Sequence, residues 1–282
     1  RTIPSIQYVS PTDADGTNVS KTEILINVTA SDTNGLGTIT VRLYNGLNTE
    51  VNSSSSTSSP FFVNFSGLDE GLRKFNVTVN DTAGNSNSTA TRIVRVDTLM
   101  PAMSLVSPTE SSGVSRSRNY IEINMTATDT TLQTLEIRLY NSTQNRIQLN
   151  TSSTSPFYIN YSGLSEGIYY YNVSANDSAG NINNSATRNI TLDRTNPLIS
   201  YGVGTETDGV NISRNNIYVN VSVTETNEGT ITFRLHNSTS QFNVSSFTSG
   251  SVRTINWTGL ADGTYTFNVT VNDTAGNTNT TA

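Results

Sequence analysis

No cysteine occurs in the 282 residues. The chain therefore forms no disulfide and offers no thiolate for catalysis or for a sulfur-rich metal site. Lysine is almost absent, with Lys21 and Lys74 alone, and no basic patch exists that could follow a nucleic-acid backbone. Charged residues make up 13%, about half the usual share, and the balance is acidic, with a formal net charge of -6 and a pI near 4.8. No apolar run reaches the length of a membrane span. No leader pattern is present either, which is expected of a mature chain or of a piece of a longer one. A single histidine, His236, is replaced by Tyr44 and Tyr140 at corresponding positions, which fits a surface site and not a general base. Nor does a glycine-rich loop open a helix.

What is present is repetition. Phe267 to Asn277 reads FNVTVNDTAGN; the same string stands at Phe75 to Asn85, and YNVSANDSAGN at Tyr171 to Asn181, each copy 96 residues after the last. A period of this length defines units, here residues 1–97, 98–193 and 194–282. Within the stretch, Phe267, Val269 and Val271 alternate with Asn268, Thr270 and Asn272. That period of two predicts a half-buried strand, stopped by the turn residues Asp273-Thr274-Ala275-Gly276-Asn277. The apolar fraction is only 34%, a share compatible with disorder. A disordered chain, however, has no reason to keep its apolar residues in phase three times.

Other strands follow in the same rhythm. Ile24, Ile26, Val28 and Ala30 form one apolar face, matched by Ile121, Ile123, Met125 and Ala127 and by Ile217, Val219, Val221 and Val223. Ile39, Val41 and Leu43 form another, with Arg42, Arg138 and Arg234 on its outer side, read as solvated or as cross-strand partners rather than as ligand groups. Asn48 to Ser59 reads as a loop or a weak edge strand. Phe65, Tyr161 and Trp257 share one position and are expected to plug the core, a burial worth about 3 kcal/mol by transfer. Val94 and Val96, matched by Ile190 and Leu192, form a closing strand that the third unit lacks. The segment thus reads as if cut from a longer run of units; three explanations of its last groove stand open, a continuing chain, a closing strand that is present but disordered, and a strand from another subunit.

Leu164-Ser165-Glu166-Gly167-Ile168-Tyr169 and Leu260-Ala261-Asp262-Gly263-Thr264-Tyr265 look like the tyrosine corner of immunoglobulin-like sandwiches. The first unit carries Arg73 in that place, which puts the corner's hydrogen bond in doubt there. Together with Asp193-Arg194-Thr195-Asn196-Pro197-Leu198-Ile199 and Val173 to Asn181, these motifs resemble the immunoglobulin-like repeats of large prokaryotic surface proteins: adhesins, surface-layer proteins and cell-wall fibres. The Asn, Ser and Thr richness looks archaeal. The resemblance implies an all-β chain of three tandem Greek-key sandwiches, extracellular, self-associating into a filament or surface array, with no enzymatic role. Strand count and alternation lead to the same fold. Short proline-bearing junctions at Val96 to Pro101 and Leu192 to Pro197 predict a stiff beaded rod. The alternative is an adhesin that binds carbohydrate or a partner through its loops.

Acceptor sequences for N-glycans are dense. They are Asn18, Asn27, Asn52, Asn64, Asn76, Asn80 and Asn87 in the first unit. The second has Asn124, Asn141, Asn150, Asn160, Asn172, Asn176, Asn183 and Asn189, and the third Asn211, Asn220, Asn237, Asn243, Asn256, Asn268, Asn272 and Asn279. In a strand, Asn at i and Ser or Thr at i+2 share the solvent face, so an acceptor costs the core nothing. For metals, the only candidate is a hard cation such as calcium, held by Asp81, Asp97, Asp177 and Asp193, with Asp32, Asp129, Glu225 and Asp273 nearby. Against this, an Asp in a turn ordinarily binds its own backbone. No transition-metal set and no cofactor motif is present. Lys21 and Lys74 have no counterparts in the other units, which excludes a repeated isopeptide crosslink.

Overall fold

A computed structural model describes residues 2–248, 250 and 252–282, and every regular element among them is a β-strand. The first unit holds β1 (Ser5–Tyr8), β2 (Thr17–Val19), β3 (Glu23–Ser31), β4 (Leu36–Asn45), β5 (Glu50–Ser56), β6 (Phe61–Ser66), β7 (Gly71–Asp81), β8 (Ser86–Ser88) and β9 (Arg92–Val96). The second repeats them as β10 (Ala102–Val106), β11 (Val114–Arg116), β12 (Ile121–Thr128), β13 (Leu132–Tyr140), β14 (Arg146–Ser152), β15 (Phe157–Tyr161), β16 (Gly167–Asp177), β17 (Ile182–Asn184) and β18 (Arg188–Leu192). The third comprises β19 (Leu198–Tyr201), β20 (Asn216–Thr224), β21 (Glu228–Asn237), β22 (Gln241–Thr248), β23 (Thr254–Thr258), β24 (Tyr265–Asp273) and β25 (Thr278–Thr280).

Two sheets face each other in each unit. One runs β1-β3-β6, the other β2-β9-β7-β4-β5 with β8 paired to β7; the second unit has the same order. The connections are antiparallel except that β2 lies parallel to β9, and β11 to β18. In the third unit the second sheet is β22-β21-β24-β25. No described strand takes the place of β9, and the segment corresponding to β2 forms no strand, leaving Val210 and Ile212 exposed. A parallel partner is what turns that segment into a strand in the other units.

The alternation seen in the sequence is the alternation of burial. Along β3 the pattern is strictly in and out, with Ile24, Ile26 and Val28 fully buried. Each unit closes its own core: one apolar cluster runs from Ile24 to Val96, a second from Ile121 to Leu192, a third from Ile217 to Val269. Phe65, Tyr161 and Trp257 are all buried in these cores, as expected. Burial pushes the Tyr161 hydroxyl up to about 12, while the same hydroxyl donates to Asn150 Oδ1 at 2.8 Å. Arg42, Arg138 and Arg234 reach across to hydroxyls of the neighbouring strand, Thr78, Ser174 and Thr270, at 3.2, 3.1 and 2.8 Å.

One open reading is decided and one expectation changes. Asn48 to Ser59 contains a regular edge strand, β5, paired with β4 over Ile39 to Tyr44. Its serine run has no apolar face, so its conformation is set by the ladder and not by burial. The corner bond is not lost in the first unit either. Tyr169 and Tyr265 donate to the carbonyls of Ser165 and Ala261, each at 3.1 Å, and the Arg73 guanidinium donates to the Asp69 carbonyl at 2.8 Å. Either side chain satisfies the carbonyl at the same position of the corner, because both are long and end in a donor.

Candidate functional site: the junctions between units

The repeated Asp-Thr/Ser-Ala-Gly-Asn turn builds the junctions. In the second unit Asp177 Oδ1 accepts from the amides of Ala179 and Asn181 at 2.9 and 2.8 Å, and Oδ2 accepts from Asn181 Nδ2 at 2.7 Å. Gly180 takes φ +94°, a conformation that favours glycine. The turn thereby pins the Asn181 amide in a buried position. From there Asn181 Nδ2 donates to the Asp97 carbonyl at 2.8 Å, and its Oδ1 accepts from Ser20 Oγ at 2.5 Å, both in the preceding unit. Asn18 Nδ2 donates to Ser178 Oγ beside them.

The next junction repeats the pattern. Asn277 Nδ2 donates to the Asp193 carbonyl at 2.8 Å, Ser117 Oγ donates to Asn277 Oδ1, and Thr274 meets Ser115 at 3.3 Å. The residues that follow each closing strand are also tied down: the Thr98 amide donates to Glu70, and the Arg194 amide and Thr195 hydroxyl to Glu166. An asparagine amide buried with all its bonds made is costly to pull apart. The asparagine bridge between units is not legible from local pattern, because its partners stand 84 and 161 residues apart. The one sequence signal is that the turn motif ends in Asn all three times.

Carboxylates collect at the same places. Asp97, Asp129 and Asp177 bring one oxygen each within 4.8 Å of one another, and so do Asp193, Glu225 and Asp273. Of the four calcium candidates, Asp97 and Asp177 thus meet at the first junction and Asp193 lies at the second, while Asp81 stands in neither triad. The Asp81 carboxyl is held below the usual carboxylate range, chiefly by the Asn85 side-chain amide at 2.6 Å. In the triads the carboxylates already accept protein hydrogen bonds: Asp97 from Thr131 Oγ1 at 2.5 Å, Asp193 from Asn227 Nδ2 at 2.9 Å, Asp129 and Glu225 from the amides of Thr131 and Asn227, each at 2.7 Å. A cleft of about 160 Å³, bordered by Glu70, Asp97, Leu99 and Asp129, opens at the first triad.

The glycan-acceptor asparagines are scattered by the fold. Asn52, Asn64, Asn80, Asn87, Asn160, Asn211, Asn243 and Asn256 are exposed, and the others are half-buried.

Fold and junctions together define an array of immunoglobulin-like β-sandwiches. Residues 101–194 match the model of one bacterial Ig-like domain family, and residues 197–282 that of another. Among solved structures, the fibronectin(III)-like modules of Clostridium thermocellum CbhA are similar, with 19% identity over 67% of this chain and 93% of that one and a TM-score of 0.38. Titin domains A168–A170 give 11% identity over 100% and 97% with a TM-score of 0.42, and chicken CNTN1 FN1–FN3 gives 14% over 99% and 95% with 0.33. Comparison with curated proteins returns no match. Domains of the Ig-like class are typically structural or binding modules, common in extracellular and surface proteins.

Proposed function

We propose that the chain is a load-bearing length of a cell-surface stalk, filament or surface layer, a rod that spaces and stiffens and does no chemistry. The observation that carries this reading is the junction. One pole of each sandwich carries the Asp-to-Asn turn; in the first two the other pole carries the ends of β2 and β9 or of β11 and β18, where Gly71 pairs with Val96 and Gly167 with Leu192. Successive junctions use opposite poles, so the units run on in line, and each junction is held by the same asparagine bridge. In this reading the surface carries N-glycans, which supply the solubility that so few charges do not. Negative-stain imaging of native material tests it: ordered fibres or a lattice at the cell surface are expected, and a dispersed protein free of the envelope contradicts it.

The acidic triads have a place in the same reading. Three carboxylates this close repel one another, and a hard divalent cation offsets that repulsion while binding carboxylate and carbonyl oxygens. Asp97, Asp129 and Asp177 would hold it at the first junction, and Asp193, Glu225 and Asp273 at the second. Adding calcium to chelated protein is expected to raise the melting temperature; a curve unmoved by calcium removes the cation from the account.

A further inference from the structure

Of the acceptor positions that recur once per unit, two look alike in sequence, yet the fold treats them oppositely. Asn27, Asn124 and Asn220 lie on the middle strand of the three-stranded sheet, and Asn64, Asn160 and Asn256 on its free edge strands β6, β15 and β23.

The middle-strand set is locked. Asn27 Nδ2 donates to the Ser10 carbonyl at 2.8 Å, Asn124 Nδ2 to that of Ser107 at 3.0 Å, and Asn220 Nδ2 to that of Val203 at 2.9 Å. Beside each, a threonine hydroxyl closes the backbone: Thr12 donates to the Asn27 carbonyl and accepts from its amide at 2.7 and 2.8 Å, and Thr109 and Thr205 do the same for Asn124 and Asn220. The chain that leaves the first strand is thereby latched across these asparagines, and the Oδ1 atoms of Asn27 and Asn124 are shut away from water. The edge set is open. Asn64, Asn160 and Asn256 are exposed opposite Leu25, Glu122 and Tyr218. Their polar contacts are solvent-facing: Asn64 Nδ2 to Glu23 at 2.8 Å, and Asn256 Oδ1 accepting from Asn216 at 3.0 Å. Asn160 also borders an open cleft of about 440 Å³ beside Tyr158, between the edges β14 and β15.

We infer that Asn64, Asn160 and Asn256, one per unit on a free edge strand, bear sugar, and that Asn27, Asn124 and Asn220 are structural pegs that stay bare. The inference rests on the glycosylated reading above and sharpens it. The donor is a lipid-linked sugar phosphate. Asn Nδ2 forms the bond to the sugar's anomeric carbon as the carbon–oxygen bond to phosphate breaks; the amide loses one proton and the lipid phosphate departs. At an edge strand the attached sugar also covers unpaired backbone groups, which otherwise invite pairing with a second chain. At a peg it would displace the latch.

Peptide mapping of the intact native protein by mass spectrometry tests this without any variant. Sugar is expected on the peptides holding Asn64, Asn160 and Asn256, and bare asparagine at Asn27, Asn124 and Asn220. Sugar on the peg set, or bare edge positions beside modified sites elsewhere, overturns the inference alone; a wholly unmodified protein overturns it together with the glycosylated reading, and leaves the rod untouched. Asn160→Gln adds a second reading: one glycan mass is lost with no change in melting, whereas Asn124→Gln lowers the melting temperature with no loss of glycan mass.

Discussion

At the scale of single residues, this chain shows that a position can matter more than the residue type filling it. Arg73 does in the first unit what Tyr169 and Tyr265 do in the others, since what the corner needs is a donor at the end of a long side chain. Tyr161 is a second case. It fills the core position that Phe65 and Trp257 fill elsewhere, but it brings an ionisable hydroxyl with it. Burial raises that hydroxyl from about 10 in the unfolded chain to about 12 in the folded one. The folded form therefore keeps its proton where the unfolded form has lost it. Ionisation of Tyr161 should leave the second unit's stability unchanged below about pH 10 and should lower it between pH 10 and 12, where the unfolded chain loses the proton that the folded one keeps. Chemical denaturation across that range checks it: Tyr161→Phe should flatten the fall, and an identical fall in the variant contradicts the assignment.

At the scale of elements, legibility followed burial. The strands β3, β4 and β7 and their counterparts could be read from the sequence because one face of each is apolar and the pleat has a period of two. The strand β5 could not be read with certainty, because seven residues from Glu50 to Ser56 include no buried side chain and are ordered by pairing alone. The short strands β2 and β11 are not legible for a related reason: three residues in a parallel pair leave no periodic trace. The acidic turn was visible as a motif and its self-capping was expected; its reach into the neighbouring unit was not, because that partner is distant in the chain. The turn is also where an element-level test lies. Asn181→Ala deletes the donors to both Asp177 and the Asp97 carbonyl, and a lost buried hydrogen-bonding group costs about 1–3 kcal/mol. The variant's second unit should unfold earlier by urea titration, and cleavage by protease between Thr98 and Pro101 should speed up. Unchanged cleavage would mean that the asparagine serves its own turn only.

At the scale of the whole molecule, three separate cores joined at opposite poles make an array whose length grows with each unit. The strand β16 carries the chain from one pole of its sandwich, at Gly167, to the other, at Asp177, a run of roughly 33 Å at strand rise. Three units with their turns then extend on the order of 120 Å. The proposed self-association and sugar coating would bear on what such a rod does, but the rod itself depends only on the junctions. Small-angle scattering of the dilute chain therefore tests the central claim most directly. A rod of that length gives a maximum dimension near 120 Å and a radius of gyration of roughly 35 Å; a profile with a radius of gyration near the compact value of about 19 Å for a chain of this size would contradict it.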